Sequence, residues 1–273
     1  TLTIRLSRIT RRTLVTFWDL RGATRSNTRM ALMVATTVVA VLGSATVVGA
    51  QATRGFVLFN GGYQVTSTDF ADNIVFTKFA EEGDLDADYG LGAGALFDVG
   101  GGFRIWRNLA VGVAASVFTK GEDAGVTARI PHPFFFNRDR QISGSQLNLT
   151  REETAVHIHA IWVVPVNEAV EIMVFGGPTF FSIKQDLVRD VLFTEAYPYN
   201  TATYTGTTTG TESESKVGFN VGADVAFYFT GHVGIGMMAR FSRATIDLSS
   251  QDGGAVAVET GGFHAGGGLR LRF

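Results

Sequence analysis

The sequence predicts an all-β fold, a closed antiparallel barrel of eight strands (ten as the alternative) that crosses a membrane. Three observations predict it. Apolar residues recur with period two along eight segments, and one parity of every segment carries no charge. Very short turns alternate with long polar stretches between those segments. Each apolar row spans about 9–11 residues, the length a tilted strand needs to cross a bilayer.

Composition narrows the field first. The chain has 33 Gly, 22 Phe, 5 Pro and no Cys. Without Cys there is no disulfide framework, thiolate metal site, Cys nucleophile or lipid-modified Cys. A formal net charge of -2 offers no basic surface for nucleic acid. A polytopic helical membrane protein needs several runs of about 20 apolar residues. Only one such run occurs, near the N-terminus, so that class is excluded.

The first element is an address. Residues 1–29 carry seven Arg against one acid, Asp19, and read as a basic upstream or n-region. The apolar stretch Ala31–Ala50 follows and closes on Ala50-Gln51-Ala52. Residues 30–52 thus have the layout of a secretory signal helix, with cleavage expected after Ala52 and Met30 as an alternative start. An uncleaved anchor is the rival. The strand pattern begins at once at Arg54 and leaves no linker, which favours cleavage. The barrel domain is therefore assigned to 53–273.

The eight apolar rows run Val57–Val65, Phe97–Ile105, Leu109–Val117, Val156–Val164, Val170–Phe180, Val217–Phe229, Val233–Phe241 and Phe263–Phe273, taking alternate residues. The opposite parity holds Asp98, Arg104, His157, His159, Glu171, Lys216, Asn220, Asp224, Arg240, His264, Arg270 and Arg272 among Gly, Ala and Ser. A soluble barrel would turn the apolar face inward. The interior of an eight-stranded barrel is only wide enough for side chains to fill, and rows dense in Phe, Ile, Leu and Val overfill it. The Gly/Ala-rich polar face fits inside, so the apolar face meets lipid.

Turns of two or so residues are expected at Arg107-Asn108, Asn167-Glu168 and Gly231-His232. Residues 67–94, 119–152 and 184–214 read as long loops on the opposite side. Short periplasmic turns and long extracellular loops place both chain ends in the periplasm. Trp162, Phe227, Phe229 and Phe273 then form an aromatic girdle at the periplasmic rim. Phe97, Phe180, Phe241 and Phe263 form the outer one. Asn73–Gly92 could add a hairpin to the barrel. Its Glu81, Glu82, Asp84, Asp86 and Asp88 are costly at lipid depth, so it reads as an extracellular ribbon.

The chain ends Gly268-Leu269-Arg270-Leu271-Arg272-Phe273. Gly268, Leu271 and Phe273 match the C-terminal signal read by the barrel-assembly machinery. Gly266 stands where that signal usually has a polar residue. With this terminus and architecture, the chain resembles the outer-membrane protein β-barrel domain family, the small OmpA/OmpW-like barrels. The resemblance implies residence in the outer membrane of Gram-negative-type bacteria among lipid and lipopolysaccharide, and assembly by that machinery. It implies no activity. A monomer without cofactor is expected.

Candidate chemistry is sparse. Gly100-Gly101-Gly102 and Gly266-Gly267-Gly268 lie mid-strand, where no helix can follow to hold a phosphate. His157 and His159 point the same way, and with Glu171 they offer a metal no further strong ligand. A plug is the expected use of the lumen. Asp98, Glu171 and Asp224 would pair with Arg104, Arg240, Arg270 and Arg272, beside His157 and His159. Arg129–Arg140, with three consecutive Phe from Phe134, reads as a loop folded over the mouth with Phe inward. A contact surface is its alternative. Thr201–Ser215 reads as a mobile loop tip. Asn148-Leu149-Thr150 matches a glycosylation sequon that a bacterial context makes uninformative. His132, Ser143 and Asp139 are the only outer-rim residues with hydrolase chemistry, and no catalytic role is assigned. The expected function is a filled barrel with an envelope-structural or surface-contact role. The alternatives are a narrow pore or transporter and a barrel enzyme acting on lipid or peptide.

Overall fold

The computed structural model describes residues 54–65, 69–90, 92–250 and 254–273. The expected n-region and signal helix lie outside the described residues. The described residues form ten strands: β1 (Gly55–Val65), β2 (Phe70–Lys78), β3 (Glu81–Tyr89), β4 (Gly94–Trp106), β5 (Leu109–Ile130), β6 (Arg140–Pro165), β7 (Val170–Glu195), β8 (Ala202–Tyr228), β9 (Val233–Ser249) and β10 (Ala255–Arg272).

Eight of them close a ring. β1 pairs with β4 and β10, and β5 pairs with β6, so the order β1-β4-β5-β6-β7-β8-β9-β10 returns to β1 with every contact antiparallel. Full closure removes the edges an open sheet would expose. The first and last strands meet at one rim, where Gly55 and Phe273 exchange backbone hydrogen bonds of 2.9 Å. At that seam a Cβ on Gly268 would collide with the backbone of Phe59 across the β1–β10 pairing, so glycine is required there.

The short turns lie where they are expected. Arg107 takes a positive φ of 43° between β4 and β5. The Asn167 side chain accepts from the amides of Ala169 and Val170 between β6 and β7. Thr230 Oγ1 does the same for His232 and Val233 between β8 and β9. Side chains thus satisfy turn amides that no ladder reaches.

The hairpin β2–β3 stays out of the ring. Asp84–Tyr89 pairs with the upper half of β5 over Ala124–Arg129, beyond the last β4–β5 pair at Ala95 and Thr119. The acidic ribbon therefore stands outside the bilayer.

The long connections differ from the expectation. Most of residues 119–152 and 184–214 are strand, with β5 to β8 running 22, 26, 26 and 27 residues. Thr201–Ser215 is no loop tip, because its residues from Ala202 on pair with β7 as far as Ser182 and Ser215. What looked like loops are strands standing in water. Their polar outward residues hid the pattern, while many of their inward residues, such as Val126, Ile130 and Leu187, are apolar.

The apolar side of β5, β7 and β9 exchanges faces at the outer girdle. On β5, Val111 and Val113 face lipid, whereas Ala124, Val126, Ala128 and Ile130 face in and are fully buried. On β9, Ile235 and Met237 face out, whereas Ile246 and Leu248 face in. These upper residues join Leu85, Tyr89, Ile183, Leu187 and Val258 in one core. The tube thus continues above the membrane as a packed body around its own hydrophobic interior.

Candidate functional site

The lumen is built from small and charged residues that alternate with the lipid-facing rows, together with a buried apolar cluster of Phe56, Ile161, Val163, Met173, Phe175 and Met238. At the end nearest the short turns, β4 and β7 bring Arg104 Nη2 to 3.0 Å from Glu171 Oε2. One level up, Arg270 of β10 grips Asp224 of β8 in a two-pronged ion pair, with Nε 3.0 Å from Oδ1. Above that, Arg240 of β9 lies 2.9 Å from Asp98 of β4, whose other oxygen accepts from Asn60. The Arg240, Arg270 and Asp224 side chains are at most 1% exposed. Each charge is neutralised at its own level, the condition under which charge can be buried in a narrow lumen.

The histidines meet hydroxyls and a guanidinium, and none is ion-paired with a carboxylate among the described residues. Arg240 donates to His264 Nδ1 at 3.2 Å, which leaves the His264 proton on Nε2, 3.3 Å from Ser242 Oγ. His157 sits between Ser116 Oγ at 3.0 Å and Thr179 Oγ1 at 2.8 Å. His159 stacks on His157 with ring centres 5.9 Å apart. Glu171 pairs with Arg104 and does not complete a site with the two histidines. Among the described residues no group of three His, Asp or Glu is placed to hold a metal. Beside Asp98, His159 and Arg240 a cavity of about 20 Å³ remains, room for one water.

Arg272 departs from the expected network. Its guanidinium binds the carbonyls of Gly231 and Glu168 and lies over the Tyr228 ring, tying two of the short turns together instead of pairing with a carboxylate. Lys216 is exposed and reaches Asp247 across the outer wall.

Sequence reading missed an upper polar layer, because Arg151 and Glu153 fell in a presumed loop. Arg151 is fully buried, its Nε 2.7 Å from Glu153 Oε1 and its Nη2 2.9 Å from the Glu259 carbonyl. Glu153 also accepts from Gln64 at 3.0 Å. Glu122 lies nearby, 4% exposed, with neither oxygen hydrogen-bonded among the described residues. Burial pushes its carboxyl up to about 7, against the pull of Arg151 and with a push from Glu153. Continued period-two spacing through Glu153 and Arg151 was the signal available.

The outward face carries the aromatic rims. Phe97, Phe180, Phe241 and Phe263 are exposed at one level, with Phe241 directly opposite Phe263. Trp162, Phe227, Phe229 and Phe273 are exposed towards the short turns, joined by Trp106. This is the build of an outer-membrane β-barrel.

The β5–β6 turn corrects a second expectation. Phe134, Phe135 and Phe136 point into solvent at 67, 52 and 70% exposure instead of covering the mouth. The upper core has already closed the tube, so nothing is left for them to cap. His132 accepts the amides of Phe134 and Phe135 on Nδ1, which commits it to its own turn. Ser143 and Asp139 are exposed, and neither is hydrogen-bonded to it in the arrangement a nucleophile needs.

No family model and no curated protein matches the chain. Among solved structures it is similar to Neisserial surface protein A at 13% identity, over 80% of this chain and 97% of that one, with a TM-score of 0.41. The outer membrane protein OprG from Pseudomonas aeruginosa is similar at 8% identity over 81% and 96%, with a TM-score of 0.46. The outer membrane protease OmpT from Escherichia coli is similar at 8% identity over 84% and 99%, also with 0.46.

Proposed function

We propose that the protein is a non-conducting, non-enzymatic barrel of the bacterial outer membrane that serves the envelope as a structural and surface-contact element. The filled lumen carries this reading. Three neutralised ion pairs stand at successive levels, and the mid-lumen cavity beside them has room for a single water. A pore needs a continuous wet path. An outer-rim hydrolase needs a nucleophile on a free base, whereas His132 is bound to its own turn. Export on the N-terminal signal and residence among lipid and lipopolysaccharide complete the proposal.

Asp224→Ala tests it. Removing this carboxylate leaves Arg270 buried without its partner, at a cost of about 3–5 kcal/mol. The wild-type barrel should show no steady conductance in planar bilayers, and the variant should melt at clearly lower temperature. A conducting wild type whose ion selectivity shifts in the variant, with melting unchanged, would overturn the plugged barrel in favour of a channel.

A further inference from the structure

The end of the tube farthest from the short turns is an aromatic apex held by buried polar groups. The sequence Pro131-His132-Pro133-Phe134-Phe135-Phe136 restricts its own backbone at two prolines. Beneath it, the buried His132 ring packs on Phe135 with centres 4.9 Å apart. Arg140, its side chain 4% exposed, lies 2.5 Å from Glu195 and donates to the carbonyls of Pro131 and Tyr199. The β5–β6 and β7–β8 turns are thereby one piece. Asn137 N donates to Glu81 and joins the β2–β3 turn to them.

On this base the three Phe rings are exposed with Tyr197 and Phe79 around them. Three successive side chains more than half exposed at a hairpin apex leave no wall for a groove, so the patch is convex. Cations lie on its rings. The Arg138 guanidinium is 5.5 Å from the Phe135 centre, and Lys78 Nζ is 5.9 Å from the Phe79 centre. Of the nearby acids, Asp84 is bound by Arg129 and Glu195 by Arg140, while Glu82 and Asp139 are exposed.

We propose that this apex is a docking surface for an apposed lipid bilayer, with Phe134, Phe135 and Phe136 entering its interface and Arg138 and Lys78 meeting its phosphates. A convex aromatic wedge with cations beside its rings is what an interfacial region takes up, apolar rings below and charge at headgroup level. The barrel's own bilayer is out of reach. From Val117 at the outer girdle to Ile130, β5 climbs roughly 40 Å along the strand, or about 30 Å in height at the usual tilt. The packed core of the extension keeps it upright. The inference rests on the surface-contact reading above, and its readout is independent of conductance.

The full-length barrel, held in phosphatidylcholine nanodiscs, is mixed with vesicles of phosphatidylcholine and phosphatidylglycerol and floated on a density gradient. Wild type should float with the vesicles. Phe134→Ser, Phe135→Ser and Phe136→Ser together should cut binding about tenfold or more, with the heat-dependent gel shift of the folded barrel retained. Should the triple variant not fold, Phe136→Ser alone, the most exposed of the three, should still weaken binding severalfold. Arg138→Gln should weaken binding to anionic vesicles more than to neutral ones. Wild type that ignores vesicles, or folded Phe variants that bind as well as wild type, would overturn the proposal. Nanodiscs that pair through the apex without vesicles would assign the patch to a second copy and overturn it equally.

Discussion

Glu122 and Arg151 occupy the level where the lumen changes from a stack of ion pairs to an apolar core. Arg151 has one close carboxylate partner in Glu153, and Glu122 lies in the same layer without a hydrogen bond of its own among the described residues. With its carboxyl raised to about 7, the folded chain keeps a proton on Glu122 that the unfolded chain has already released. The folded state therefore binds more protons between the ordinary carboxylate range and about pH 7, and its stability falls as pH rises through that window. Protease resistance of the extramembrane segment should be higher at pH 5 than at pH 8. Glu122→Gln, which keeps the shape and cannot ionise, should flatten that dependence and raise resistance at pH 8. An unchanged slope in the variant would place the dependence on another group. Tyr89 belongs to the same body: burial pushes its hydroxyl up to about 12, and that oxygen accepts the Val188 amide at the β7 bulge.

Single strands here serve two solvents. The lower half of β5, β7 or β9 turns most of its hydrophobes to lipid, Met173, Phe175 and Met238 excepted, and the upper half of the same strand turns them inward. The exchange runs through β9 without a register shift, while β5 and β7 pair through bulges at Glu122/Ala124 and Val188/Asp190. It needs only that the apolar residues move from one parity to the other. The two halves should then fail separately. Leu187 is fully buried in the upper core, and Leu187→Ala should cost about 2–5 kcal/mol there. Limited proteolysis should open the upper part of β8 in that variant, while the heat-dependent gel shift of the transmembrane ring persists. Loss of the gel shift instead would show one cooperative unit. Thr208→Ala, at an exposed position on β8, should change stability by no more than about 0.5 kcal/mol.

At the scale of the molecule, closure depends on the last residue meeting the first strand. Phe273 bonds Gly55 through its backbone, and its ring lies against that glycine. Half exposed, it contributes little core. Its deletion is therefore expected to act on assembly, leaving unassembled chain that periplasmic proteases remove. Normal amounts of heat-modifiable barrel after the deletion would contradict an assembly role for the Gly268, Leu271 and Phe273 signal.

The sequence by itself determined the membrane ring, because lipid outside and a narrow lumen inside write opposite chemistries on alternate residues. Eight uncharged rows, the short turns at Arg107, Asn167 and Gly231, and the inward parity of Asp98, Asp224, Arg240 and Arg270 all follow from that alternation. Only the tertiary structure decided which charge meets which. Asp224 and Arg270 lie on strands separated by β9 in the ring, and depth in the lumen depends on register and tilt, which no local pattern records. It also decided that residues such as Lys120–Arg129 and Ala202–Lys216 are strands. Above the girdle, water replaces lipid, so polar side chains face out and the hydrophobes retreat to the opposite parity, and the pattern reads as a loop until the ladder beside it is known. The outward aim of Phe134, Phe135 and Phe136 was settled the same way. Ile183, Leu187 and Val258 had already filled the tube beneath them.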